Sequence, residues 1–162
     1  MTMKLIPQET YTIYTSISVP EIKEQMMKYV EPKKMFRFFR GGSKYFEGDV
    51  SDSGFKLTRI ISYRNSFLPI IKGSFEERAS GLKVDVSMSM HPFVIAFMLF
   101  WFGGVGIGFI TMLFSFIKSP TNFHPASLIP AGMLLFGWVL VSVGFWPEAR
   151  KAKEKLNEIL NN

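Results

Sequence analysis

The chain has 162 residues, with 19 Lys and Arg against 13 Asp and Glu, and no cysteine. The missing cysteine excludes disulfides, zinc–thiolate centres, iron–sulfur clusters and cysteine nucleophiles. The formal charge is +6, and residues 1–92, with 14 Lys and Arg against 10 Asp and Glu, hold an excess of +4. That is far from the basic density of a dedicated DNA binder, and the length would ordinarily suit one domain.

The first seven residues carry one lysine and no apolar run, which argues against a cleavable signal peptide. Residues 11–18 alternate Tyr11, Ile13, Thr15 and Ile17 with Thr12, Tyr14, Ser16 and Ser18, the pattern of a strand with one buried face. Ser18, Pro20 and Glu21 then fit a capping box with proline in the first turn. Val19, Ile22, Met26, Tyr29 and Val30 form the apolar stripe of a short helix that Pro32 must end.

Beyond Gly41 and Gly42, the runs 45–50, 55–62, 70–75 and 82–90 have strand length, and turn residues separate them. The last is the cleanest alternation in the chain, Leu82, Val84, Val86, Met88 and Met90 against Lys83, Asp85, Ser87 and Ser89. A β-α-β-β-β-β order with hairpin-length connections predicts an antiparallel sheet or small open barrel with one helix over a face or an end. Gly48 and Gly73, inside strands, suggest bulges or sharp coiling.

His91 and Pro92 end the sheet, and the character of the chain then changes. Residues 93–117 and 128–146 hold no Asp, Glu, Lys, Arg or His. At ~1.5 Å per residue they reach roughly 37 and 28 Å, against a hydrocarbon core of ~30 Å. The polar, turn-rich stretch 118–126 lies between them, so the reading is a transmembrane helical hairpin. Arg78, Lys83, Arg150, Lys151, Lys153 and Lys155 flank its outer ends, against Lys118 alone in the connection. That imbalance predicts two spans in the cell membrane with both termini cytoplasmic. Pro147 and Glu148 open a third helical stretch, whose Ala149, Ala152, Leu156, Ile159 and Leu160 share one face. It could continue the second span, lie on headgroups or dock on the sheet.

The organisation is thus an α+β membrane protein. Residues 1–91 form a cytoplasmic domain, 92–147 a transmembrane hairpin and 148–162 a C-terminal amphipathic helix.

Three features bear on chemistry. Gly103, Gly104 and Gly108 on the first span, with Gly137 and Gly144 on the second, offer small-residue surfaces for helix association, within the hairpin or between molecules. Lys33, Lys34, Arg37, Arg40 and Lys44, interleaved with Met35, Phe36, Phe38, Phe39 and Tyr45, suit contact with anionic headgroups. The same composition would stack on single-stranded nucleic acid, or be a half-buried strand whose cations face water. Arg64, Asn65 and Ser66, in the loop 63–69, could hold an anion or a partner's backbone, or tie down their own turn.

The uncharged spans argue against a transporter, which needs ionisable groups inside the bilayer. A bilayer thickness separates His91 from His124, so they cannot share a relay or a metal. No catalytic constellation, metal set or cofactor motif emerges. The expectation is a non-enzymatic, membrane-anchored binding, sensing or accessory module. Its partners would be the bilayer, anionic headgroups, a second copy or a larger membrane complex. The alternative is an effector that oligomerises and permeabilises the membrane.

Overall fold

A computed structural model of the chain describes residues 7–33, 44–79, 81–119 and 125–161. They form two compact units, one from Met1–His91 with Gly144–Asn162, the other from Pro92–Val143.

The first unit is built on an open six-stranded sheet. Its strands are β1 (Gln8–Thr15), β2 (Val30–Glu31), β3 (Phe46–Ser51), β4 (Gly54–Arg59), β5 (Ile70–Arg78) and β6 (Gly81–Ser89), in spatial order β1-β6-β5-β4-β3-β2. Every pairing is antiparallel except β2 with β3, which is parallel. The sheet is open, so the barrel alternative falls away. Strand β1 begins and ends three residues before the stretch its alternation suggested. The backbone N–H of Ile17 turns back to Thr15 Oγ1, a local bond that competes with the ladder and frees Ser18 to cap the helix. Strand β2 left no sequence signal, being two residues between a helix end and Pro32.

Helix α1 (Val19–Tyr29) starts with the capping box between Ser18 and Glu21. The Ser18 hydroxyl and backbone N–H both bond the Glu21 carboxylate, at 2.7 and 3.0 Å. These bonds hold the Glu21 carboxyl below its usual range. Val19, Ile22 and Met26 are buried, as the stripe required.

The strand alternation sorts the sheet into a wet face and a dry one. Ile13, Phe46, Phe55, Leu57, Ile71, Leu82, Val84, Val86 and Met88 are buried. Opposite them lie Thr12, Lys83, Asp85 and Glu76, joined by bonds from Thr12 Oγ1 to Asp85 (2.6 Å) and from Lys83 to both Asp85 (2.6 Å) and Glu76 (3.0 Å). Of the two readings of the strand glycines, bulges fall away: Gly48 sits in unbroken pairing opposite Leu57 and Gly73 opposite Phe55. At Gly73 the Phe55 ring occupies the space a Cβ would need, and at Gly48 a φ of +148° sets the backbone against the Lys56 carbonyl.

Closing the dry face is the C-terminal part of α3 (Ile129–Asn161). Phe145, Ala149, Ala152, Leu156, Ile159 and Leu160 are all buried. These include every residue of the amphipathic stripe. Of the three placements the sequence left open for the stretch beginning at Pro147, two hold together: α3 is one continuous helix with Pro147 inside it, and its stripe docks on the sheet. Proline removes a single ladder bond, the one to the Val143 carbonyl. Burying that whole stripe outweighs the loss.

In the second unit, α2 (Pro92–Lys118) and the first part of α3 run antiparallel. The place of a Gly108 Cβ lies 3.7 Å from Pro130, and that of a Gly137 Cβ lies 3.2 Å from the Phe102 ring. Both helices are long and apolar enough to cross a membrane, the mean hydropathy of their most apolar 18 residues being 2.3 and 2.1. Only 6% and 17% of their most apolar windows are buried. Phe93, Phe97, Leu99, Phe100, Leu135 and Phe136 are among the large side chains left exposed. The η turn Pro125–Leu128 leads into α3.

Candidate functional site

The loop 63–69 and the end of β4 grip α3 where proline interrupts it. Asn65 folds back on its own turn, accepting the Phe67 backbone N–H at Oδ1 (2.9 Å). That leaves its amide free to reach out, and Nδ2 donates to the Gly144 carbonyl at 2.7 Å. The Phe67 ring lies over Gly144, so a Cβ there would stand 2.7 Å from Phe67 Cδ2. One turn on, Glu148 is almost fully buried and accepts from Arg59 Nη1, from the Tyr63 hydroxyl (2.5 Å) and from Lys151 (3.3 Å).

Chain geometry explains why these groups meet. Register places Arg59 beside Phe46 and two residues beyond Leu57, on the dry face. Gly144, Glu148 and Ala152 follow at helical spacing of four and so share one side of α3. Arg59 also lies over the Tyr45 ring, 4.7 Å from its centroid. The bond to Glu148 holds the Tyr63 hydroxyl above its ordinary range, with burial adding to the shift.

Further along, Lys153 bonds Glu9 at 2.5 Å and covers the Tyr11 ring at 4.5 Å, while Lys155 covers the Tyr29 ring at 4.4 Å. Burial, reinforced by the Glu9 charge, raises the Tyr11 hydroxyl pKa. Tyr11 Oη, Glu9 Oε2 and Arg59 Nε are buried with no hydrogen-bond partner.

Buried ion pairs of this kind add little net stability over well-packed apolar residues, but losing one partner is expensive. Their chemistry is therefore positional. Glu148 and Glu9 are each committed to a cation, so neither stands ready as a general base. Among the described residues no group of His, Asp or Glu could hold a metal ion.

The candidate residues drawn from the sequence fall apart spatially. Lys33 is exposed just past β2 and Arg64 is exposed in the gripping loop. Lys44 turns inward: Nζ donates to the Met27 carbonyl and, at 3.0 Å, to the Val30 carbonyl at the end of α1. Lys34, Arg37 and Arg40 lie outside the described residues. Among the described residues Gly103 and Gly104 have nothing within 4 Å of a Cβ position, and Gly108 touches Pro130. Gly137 packs under Phe102, whereas Gly144 belongs to the sheet unit and packs under Phe67.

The residues that sequence reasoning missed are Arg59, Tyr63, Glu148, Glu9 and Lys153. One weak signal existed: Glu148 is an acid placed directly after a long uncharged run. No protein-family model, curated protein or solved structure matches the chain.

Proposed function

We propose that the chain is an integral membrane protein whose α2 and first part of α3 cross the bilayer, with the sheet unit held in the cytoplasm as a binding, sensing or accessory module. The observation that carries this is the exposure of two long apolar helices. A core helix of a soluble protein would have buried those rings, and exposed apolar area on this scale marks a surface made for lipid or for another protein. The sheet unit is tethered twice, by His91 running into α2 and by α3 returning into it. The grip of Asn65, Phe67 and Glu148 suits such a module, since it fixes the register of the returning helix on the sheet.

Lys33 and Arg64, exposed on the sheet unit, are the described cations we assign to anionic headgroups; Lys44 is spent on α1. An accessory role in a larger membrane complex would use the same tether. Two measurements test the reading on the full chain. Resistance to alkaline carbonate extraction from membranes supports integral insertion, and release into the supernatant contradicts it. For the headgroup contact, Lys33→Ala with Arg64→Ala should lower the rate at which phosphatidylglycerol in nanodiscs protects the sheet unit from protease. Equal protection in wild type and variant removes that assignment.

A second reading has its own observation. Among the described residues nothing fills the space beside Gly103, Gly104 and Gly106, and an oligomerising, permeabilising effector would use that small-residue surface. A membrane potential that survives high expression, and is the same for Gly104→Leu, excludes that reading.

A further inference from the structure

The two edges of the sheet are built differently. At one end, β2 contributes two residues before Pro32, and the β3 behind it carries Gly48 at φ +148° followed by Asp49. Shortness, proline and a twisted backbone all blunt that edge. At the other end β1 pairs with β6 over its whole length, from Gln8 opposite Ser89 to Thr15 opposite Leu82. Among the described residues no strand pairs with its outer side. Eight residues of β-prone sequence, QETYTIYT, form this edge with no proline, glycine, lysine or bulge. Its one charge, Glu9, is buried on the dry face against Lys153. Of the usual devices that deter pairing, β1 carries only this inward-pointing charge, and the Lys153 ammonium neutralises it.

We propose that the outer edge of β1 is an assembly surface that accepts β1 of a second copy, antiparallel, in register about Thr12. Self-complementarity selects this partner. Keeping the dry faces of both copies on one side requires residues of like parity to meet. Centring on Thr12 then sets Thr12 against Thr12, Thr10 against Tyr14 and Tyr11 against Ile13, with Glu9 against Thr15. These are β-branched and aromatic cross-strand pairs, and no like charges face each other. A centre on Tyr11 would instead set Glu9 against Ile13.

Because the chain has no cysteine, single-cysteine variants of the full-length protein in detergent read the register directly. Opposed residues in an antiparallel pair meet disulfide geometry. Under mild oxidation Thr12→Cys should give a disulfide-linked dimer. A mixture of Thr10→Cys and Tyr14→Cys copies should cross-link to each other more than either does alone. Ser74→Cys, on the wet face of β5, serves as background. Thr12→Lys should weaken dimerisation by about tenfold by ultracentrifugation, since it sets two ammonium groups against each other. Thr12→Val, which only loses the bond to Asp85, should leave the dimer intact. A monomeric wild type overturns the proposal and leaves the edge to a strand of another protein. Cross-linking at Thr12 no greater than at Ser74 also overturns it. So does a dimer that survives Thr12→Lys and disappears in Gly104→Leu, which would place the interface on α2.

Discussion

Asn65 Nδ2 lies 2.7 Å from the Gly144 carbonyl, three residues before a proline that has no N–H to give the preceding turn. The sheet unit thus supplies a donor to the carbonyl next to the one, that of Val143, which Pro147 leaves without a ladder partner. Asn65→Ala removes that donor and the Asx bond to Phe67 together. The expected cost is about 1–3 kcal/mol, read as a lower unfolding midpoint of the full-length protein in micelles. Asn65→Asp keeps the turn but loses the donor, and should fall at least as low. An unchanged midpoint in both would mean the contact contributes nothing.

The glycines give a sharp contrast. A Cβ on Gly144 would stand 2.7 Å from Phe67, whereas one on Gly104 meets nothing within 4 Å among the described residues. Gly144→Ala should therefore destabilise the sheet unit by about 1–3 kcal/mol. Gly104→Ala should stay within about 0.5 kcal/mol of wild type. Thermal unfolding of the two variants side by side decides it, and equal midpoints would contradict the packing described.

Glu148 and Arg59 are both largely buried, at 3% and 12% side-chain exposure. Glu148→Leu alone strands the guanidinium and should cost about 3–5 kcal/mol. Adding Arg59→Met should recover most of that loss, because the pair is replaced by packed apolar side chains. A double variant no better than the single one would show that the guanidinium has a second role, for example through its stacking on Tyr45.

The wet face has a pH signature. Bonds from Lys83 and Arg78 hold Glu76 below its ordinary 4.5, and bonds from Lys83 and Thr12 hold Asp85 below its ordinary 3.8. Lys83, bonded to Asp85 and Glu76, is raised above its ordinary 10.5. A depressed carboxyl stabilises the fold above its unfolded value and loses that contribution as pH falls through its lower folded value. The raised lysine contributes below 10.5 and loses it as pH rises through its folded value. The network should hold from 4.5 to 10.5 and weaken on either side. The effect is small because these groups are solvent-exposed. Urea unfolding from pH 3 to 7 should show the acid limb, flattened in Glu76→Gln with Asp85→Asn. An identical acid limb in that double variant would assign it to other carboxylates.

Periodicity made much of the fold legible in the sequence. The stripe of α1 and the alternation in β6 each translate directly into burial, because residues spaced by 3.6 or by two share a face wherever the element ends up. Uncharged length likewise marked α2 and α3 as apolar helices. The alternation in β1 survived while its bounds moved, since Thr15 bonds backward and stops the ladder early. Strand β2 was too short to carry a pattern. Pro147 left the placement of the last helical stretch open because proline costs the same in any helix, whereas what outweighs that cost, the buried stripe, packs against residues far away in sequence. Most of the site was invisible for the same reason. Arg59 reads as one more alternating strand residue and Glu148 as a helix start, and only the register that joins β4 to α3 makes them a pair.

The central claim is that the two apolar helices span a bilayer with the sheet unit on its inner side. Single cysteines at Ser119, at the far end of α2, and at Ser74, on the wet face of β5, test it in sealed cells with a membrane-impermeant maleimide. The account predicts that Ser119→Cys is labelled from outside and that Ser74→Cys is labelled only after lysis. Labelling of Ser74→Cys in intact cells, or protection of both sites until lysis, would contradict it.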